Sequence, residues 1–100
     1  MEYNQTQGGV AEDTRLAAPP EYRVILLNDD YTTKDFVVFV LEHVFHKDKA
    51  QAVQIMESVH RSGKGVAGVY TYDIAATRAN MTMSMARKEG FPLRCELESC

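Results

Sequence analysis

No run of apolar residues in this 100-residue chain approaches the ~20 needed to cross a bilayer, so a membrane span is not expected. The opening "MEYNQTQGGVAED" has neither a basic stretch nor an apolar one, and a cytoplasmic protein without a secretory signal is expected. Eleven basic residues against fourteen acidic ones give a net charge of -3. With no basic cluster and no Lys/Arg patch interleaved with aromatics, nucleic acid is a poor ligand for such a surface. Cysteine is scarce: Cys95 and Cys100 lie five residues apart at the C-terminal end, where a bridge would close a tiny loop and add little. Also missing are a nucleophile elbow, a cysteine beside a base, a glycine-rich phosphate loop and the HExxH pattern. These absences leave little for a catalytic reading to stand on.

What is present fits one small domain. Residues 1–20, rich in Gln, Gly, Ala, Asn and Thr and ending in "AAPP", read as a flexible N-terminal extension, and residues 21–100 as the folded core. "YRVILL" is a short strand in which Val24 and Leu26 alternate against Arg23 and Ile25, and Asn28-Asp29-Asp30 end it. A helix start follows, with Thr32 as cap and Asp35 completing a capping-box-like pair. "DFVVFVLEHVF" favours strand by propensity, but Phe36–Val40–Val44 and Val37–Leu41–Phe45 form two i, i+4 rows, which indicate a buried helix.

Asp48 caps a second helix that ends at Ser62 before "GKG", with Ala52, Ile55, Met56 and Val59 along its apolar stripe and His60 four residues after Met56. "GVAGVYTY" reads as a strand whose glycines admit close approach of another element. Thr71 and Asp73 open a third helix with Ile74, Thr77, Met81 and Met85 on one side, ending at Gly90; Met83 is expected to face elsewhere. A last strand alternates Leu93, Cys95 and Leu97 with Arg94, Glu96 and Glu98. The order β-α-α-β-α-β predicts an α+β fold, a three-stranded antiparallel sheet packed against three helices.

Two constellations carry chemistry. Asn28, Asp29 and Asp30 leave the first strand together, which turn formation explains on its own, yet adjacent carboxylates repel and a bound cation relieves that repulsion. A primary ammonium needs three acceptors, and Asn28, an Asp carboxylate and a neutral imidazole can supply them. The imidazole candidate is His60, whose apolar neighbours Met56 and Val59 disfavour the imidazolium; protonation would remove the accepting lone pair. A lone histidine on an apolar face is more often simply structural. The pair His43 and His46, spaced i, i+3, raises a metal reading, but no third ligand is fixed and exposed histidines are the better expectation. The competing function from another class is a small hydrolase built on Asp29/Asp30 with His60, or on the His43/His46 pair as a metal site.

The pieces "NDDYT", "VH" before "GKG", "AGVYT" and "PLRCELE", in that order, resemble the ClpS family from about Pro19 to Cys100. That resemblance implies a non-enzymatic adaptor, without cofactor or metal and expected as a monomer. It brings proteins with a free α-amino group and a bulky first residue (Phe, Tyr, Trp or Leu) to the ClpA-type AAA+ unfoldase of the ClpAP protease. It further implies that Asn28 and His60 hydrogen-bond the amine while Asp29 and Asp30 supply charge. Leu27, Thr32, Val37, Met56, Val59 and Leu93 then line the side-chain pocket, Asp73 and Arg78 dock the unfoldase, and the unfoldase engages the N-terminal extension during hand-off. One position departs from the family pattern: a gating Met usually follows "NDDYTT", and here Lys34 stands there. Its methylenes can lie over the pocket while the ammonium reaches water, but it cannot gate in the same way, so the preferred first residue is left open.

Overall fold

A computed structural model describes residues 18–100. Its elements run β1 (Glu21–Leu27), α1 (Lys34–His43), α2 (Lys49–Ser62), β2 (Lys64–Thr71), α3 (Tyr72–Lys88) and β3 (Arg94–Ser99). The expected β-α-α-β-α-β order and three-stranded antiparallel sheet are both found, with β1 in the centre of the order β2-β1-β3. Of the stretch expected to be a flexible extension, residues 1–17 lie outside the described residues.

The central strand buries three residues in a row, Val24, Ile25 and Leu26, on both of its faces. Val24 and Leu26 are fully buried beneath the helices, and Ile25 sits on the opposite face between its register partners Val66 and Glu96. β2 shifts register between its pairs with Val24 and Ile25, where Ala67 is the extra residue. Gly65 of β2 has no room for a side chain, since a Cβ there would stand 2.9 Å from Val59 Cγ2 and 3.2 Å from Ile55 O of α2. The expected close approach of another element is therefore α2 against β2.

α2 forms as its ends dictate. Asp48 accepts the Gln51 amide at 2.8 Å, the Gln51 side chain returns to the Asp48 amide at 3.2 Å, and Gly63 stops the helix with φ +92°. The start of α1 differs from the sequence expectation. Thr33, not Thr32, is the cap, its hydroxyl accepting the Phe36 amide at 3.1 Å, because Thr32 is taken up by Asp29.

α3 corrects the expected stripe. Its buried residues are Ala75, Ala79, Thr82 and Ala86, whereas Ile74, Thr77 and Met81 are exposed and Met83 packs on the core beside Met85. Small residues at i, i+4, i+7 and i+11 let the helix axis lie close to the sheet, so the larger side chains are displaced to the flanks. Thr82, wholly buried, satisfies its hydroxyl by donating to Arg78 O at 2.9 Å.

Candidate functional site

The end of β1 and the end of α2 meet. The Asn28 amide donates to Gly63 O at 2.9 Å, so the turn that leaves the strand is fastened to the residue that terminates the helix. Between them opens a cavity of about 210 Å³. Its polar wall is Asn28, Asp29, Asp30 and His60, and its apolar wall is Val37 from α1 with Met56 and Val59 from α2. Thr32 and Lys34 complete the lining. The volume is below the ~300–1,000 Å³ of sites for drug-sized ligands and suits one side chain. A wider depression of about 490 Å³ along α2, lined by Val53, Glu57 and Arg61 among others, takes its walls from one helix and gathers no comparable polar set.

The two aspartates have different environments. Asp29 Oδ1 accepts the amides of Tyr31 (2.8 Å) and Thr32 (2.7 Å), and Oδ2 accepts the Thr32 hydroxyl at 2.8 Å. Burial pushes the Asp29 carboxyl upward, but the Thr32 and Tyr31 hydrogen bonds, with the positive charge of Arg87, outweigh it and hold the group below its ordinary value. Asp29 is thus an anion that builds the turn. Asp30, exposed, has no hydrogen bond of its own among the described residues. Asn28 and His60 are exposed as well, so the imidazole is not enclosed by the apolar stripe as its sequence neighbours suggested. Its ring lies at the boundary, one residue past the buried Val59.

Nine of the eleven residues expected at the amine site and pocket line this cavity, whereas Leu27 and Leu93 do not. Leu93 is a core residue, 1% exposed, and Leu27 faces a neighbouring groove. The wall's one hydroxyl, that of Thr32, is donated to Asp29 and is poorly placed to act as a nucleophile. The histidine pair separates as α1 ends: His43 Nδ1 pairs with Phe39 O at 2.9 Å and its ring stacks on Phe39, while His46 adopts φ +56° beyond the helix. Among the described residues no group of three or more His, Cys, Asp or Glu side chains is placed to hold a metal ion.

Along α3, Asp73 and Arg78 flank a shallow hollow with Ile74, Thr77 and Met81. Asp73 is exposed in the first turn of α3. Arg78 is held inward: its Nη1 donates to Val44 O and its guanidinium lies 5.2 Å from the Tyr70 ring centroid. The exposed Ile74 and Met81 are what sequence reasoning missed here; the heptad spacing of Ala75, Ala79, Thr82 and Ala86 was the available signal.

Residues 17–96 match the family model described as ATP-dependent Clp protease adaptor protein ClpS. The ATP-dependent Clp protease adapter protein ClpS of Syntrophus aciditrophicus is 54% identical over 86 residues, 86% of this chain and 80% of that protein. Its counterpart in Cupriavidus metallidurans is 49% identical over 87 residues, 87% of this chain and 81% of the relative. The structure of Agrobacterium tumefaciens ClpS2 bound to L-phenylalaninamide superposes with a TM-score of 0.79 at 39% identity, covering 82% of this chain and 99% of that one. With a family match over most of its length, relatives at this identity and the same fold, the chain belongs to the ClpS family, the adaptor proteins of the ATP-dependent Clp protease.

Proposed function

We propose that this adaptor selects proteins by a free N-terminal amine and a bulky apolar first residue, and delivers them in the cytoplasm to a ClpA-type AAA+ unfoldase without chemistry of its own. The observation that carries the reading is the one cavity in which Asn28, Asp29, Asp30 and His60 face Val37, Met56 and Val59. Its acceptors suit an ammonium and its apolar wall suits one large side chain. The ligand of the related ClpS2, L-phenylalaninamide, has that same pair of features, an amine and an apolar ring, and carries no carboxylate.

In this reading Asn28 and His60 accept hydrogen bonds from the amine, and Asp30, with free carboxylate oxygens, supplies the counter-charge. Asp29 contributes its field while shaping the turn. Each charge-assisted hydrogen bond is worth ~1.5–3 kcal/mol, and burial of one aromatic side chain about as much. After the cost of ordering a peptide end, roughly 8 kcal/mol, a micromolar Kd, is left.

The surface for the unfoldase is the outer face of α3. Asp73 provides its exposed charge and Ile74 and Met81 its apolar ground, whereas Arg78 mainly fixes the helix against Val44 and Tyr70. The test is a binding titration of one Phe-led peptide with its amine free and acetylated. Acetylation removes the charge and two donors, so the free peptide is expected to bind at least a hundredfold more tightly; comparable affinities would overturn the proposal.

A further inference from the structure

We propose that Arg87 is a positioning residue for the amine site: it clamps the α3–β3 turn, residues 89–93, beside the exit of β1 and the first turn of α1, so that the cavity is already formed when a substrate arrives. This deepens the function proposed above and rests on it. Arg87 lines neither the cavity nor the groove next to it. Its Nη1 donates both hydrogens, one to Phe91 O at 2.9 Å and one to Leu93 O at 2.8 Å, and so grips the turn on either side of Pro92. The proline has no amide hydrogen with which to hold itself. Among the described residues Arg87 has no carboxylate within ion-pair distance, so nothing else fastens its guanidinium.

The residues under the clamp support the site from behind. Phe91 meets Phe36 of α1 edge-on, with ring centroids 5.2 Å apart, and Phe36 stands in the chain between Lys34 and Val37 of the cavity wall. Pro92 lines one groove together with Asn28, Asp29 and Asp30. Leu93 is buried, and Arg94 after it pairs with Leu27, so the turn enters β3 beside the point where Asn28 leaves β1. The charge of Arg87 also reaches Asp29, the anion around which that exit is built. Backbone bonds fix the start of the turn, Gly90 N–H to Arg87 O at 3.1 Å and Phe91 N–H to Ala86 O at 2.8 Å. From Phe91 O to Leu93 O the hydrogen bonds, among the described residues, are the two from Arg87. Without them the turn is free to shift, and the cavity is formed for only part of the time. A receptor competent for a fraction of the time loses affinity by that fraction, and the loss falls on association, because the contacts made once bound are the same.

The experiment uses the full chain and a fluorescent Phe-led peptide, with its amine free or acetylated, and reads association and dissociation rates at low and high salt. Arg87→Met keeps an unbranched side chain but loses the donors. It should slow association about 3- to 10-fold at high salt, where the removed charge no longer matters, and leave dissociation within about twofold of the wild type. Phe91→Leu leaves the clamp and removes the ring contact with Phe36; it should shift the rates in the same way, and it tests the route if Arg87→Met does not fold. Wild-type association at high salt in either folded variant, with dependence on the free amine retained, would overturn the positioning role alone. So would a fall in denaturation midpoint with both rates unmoved, or a change confined to dissociation. Indifference of the wild type to acetylation would remove the amine reading, and the role of Arg87 with it.

Discussion

Thr32 holds Asp29 twice, through its amide to Oδ1 at 2.7 Å and through its hydroxyl to Oδ2 at 2.8 Å. The turn between β1 and α1 is therefore set by an anion that the chain itself satisfies, and the cavity wall inherits that rigidity. Asp29→Ala should destabilise the fold by about 1–3 kcal/mol, read from chemical denaturation, and weaken peptide binding as the turn loosens.

The same contact makes stability depend on pH with a defined sign. The folded carboxyl of Asp29 titrates below its unfolded value. Its contribution is complete above the ordinary carboxylate range and is lost as pH falls through the depressed folded value. Denaturation midpoints measured from neutral pH into acid should fall more steeply for the wild type than for Asp29→Asn. Parallel curves would show that the carboxylate is not what the turn depends on.

Asn28→Ala and His60→Ala remove exposed acceptors and leave the core untouched. Each should weaken a Phe-led peptide by about 10- to 100-fold, the worth of one hydrogen bond to a charged group, with the denaturation midpoint unchanged. A loss of binding accompanied by loss of fold would assign them a structural role instead.

Lys34→Met takes a cation from the rim of the cavity where the substrate amine is proposed to sit. Like-charge repulsion at an exposed site is worth up to about 1 kcal/mol, so affinity for Phe- and Leu-led peptides should rise by a few fold at low salt and less at high salt. Titrations against peptides differing only in the first residue would show whether the order of preference changes with it.

The thiols should react at two rates. Burial pushes the Cys95 thiol up to about 12, with Arg87 countering only in part, while Cys100 is exposed. One equivalent of a thiol reagent should be consumed quickly in the native protein and the second only on unfolding. Rapid reaction of both would place Cys95 outside the sheet's shelter.

How much of this was legible in the sequence depended on how local the determining contact is. α2 could be read end to end, because Asp48, Gln51 and Gly63 act within a turn of the residues they cap. The α1 cap could not: Thr32 and Thr33 are equal candidates by type, and the choice is made by Asp29, whose carboxylate claims the first and leaves the second. On α3, apolarity pointed to Ile74 and Met81, yet the close seat against the sheet selects small volume over hydrophobicity. The polar half of the cavity followed from adjacent charges in "NDD" and the place of His60, while the exclusion of Leu27 and Leu93 from its lining is a three-dimensional fact. That Arg78 turns inward to Val44, 34 positions away, has no trace in spacing at all.

The backbone hydrogen bond between strand exit and helix exit, Asn28 N–H to Gly63 O, has a kinetic consequence. Together with the close seat of α2 on β2 at Gly65, it ties the two walls of the cavity to each other, so in the function proposed above a guest need not wait for the host to open. Arrival would then be governed by collision and orientation, and dwell time by the guest's own contacts, which would suit the proposed carrier, one that loads fast and surrenders its cargo to a stronger pull.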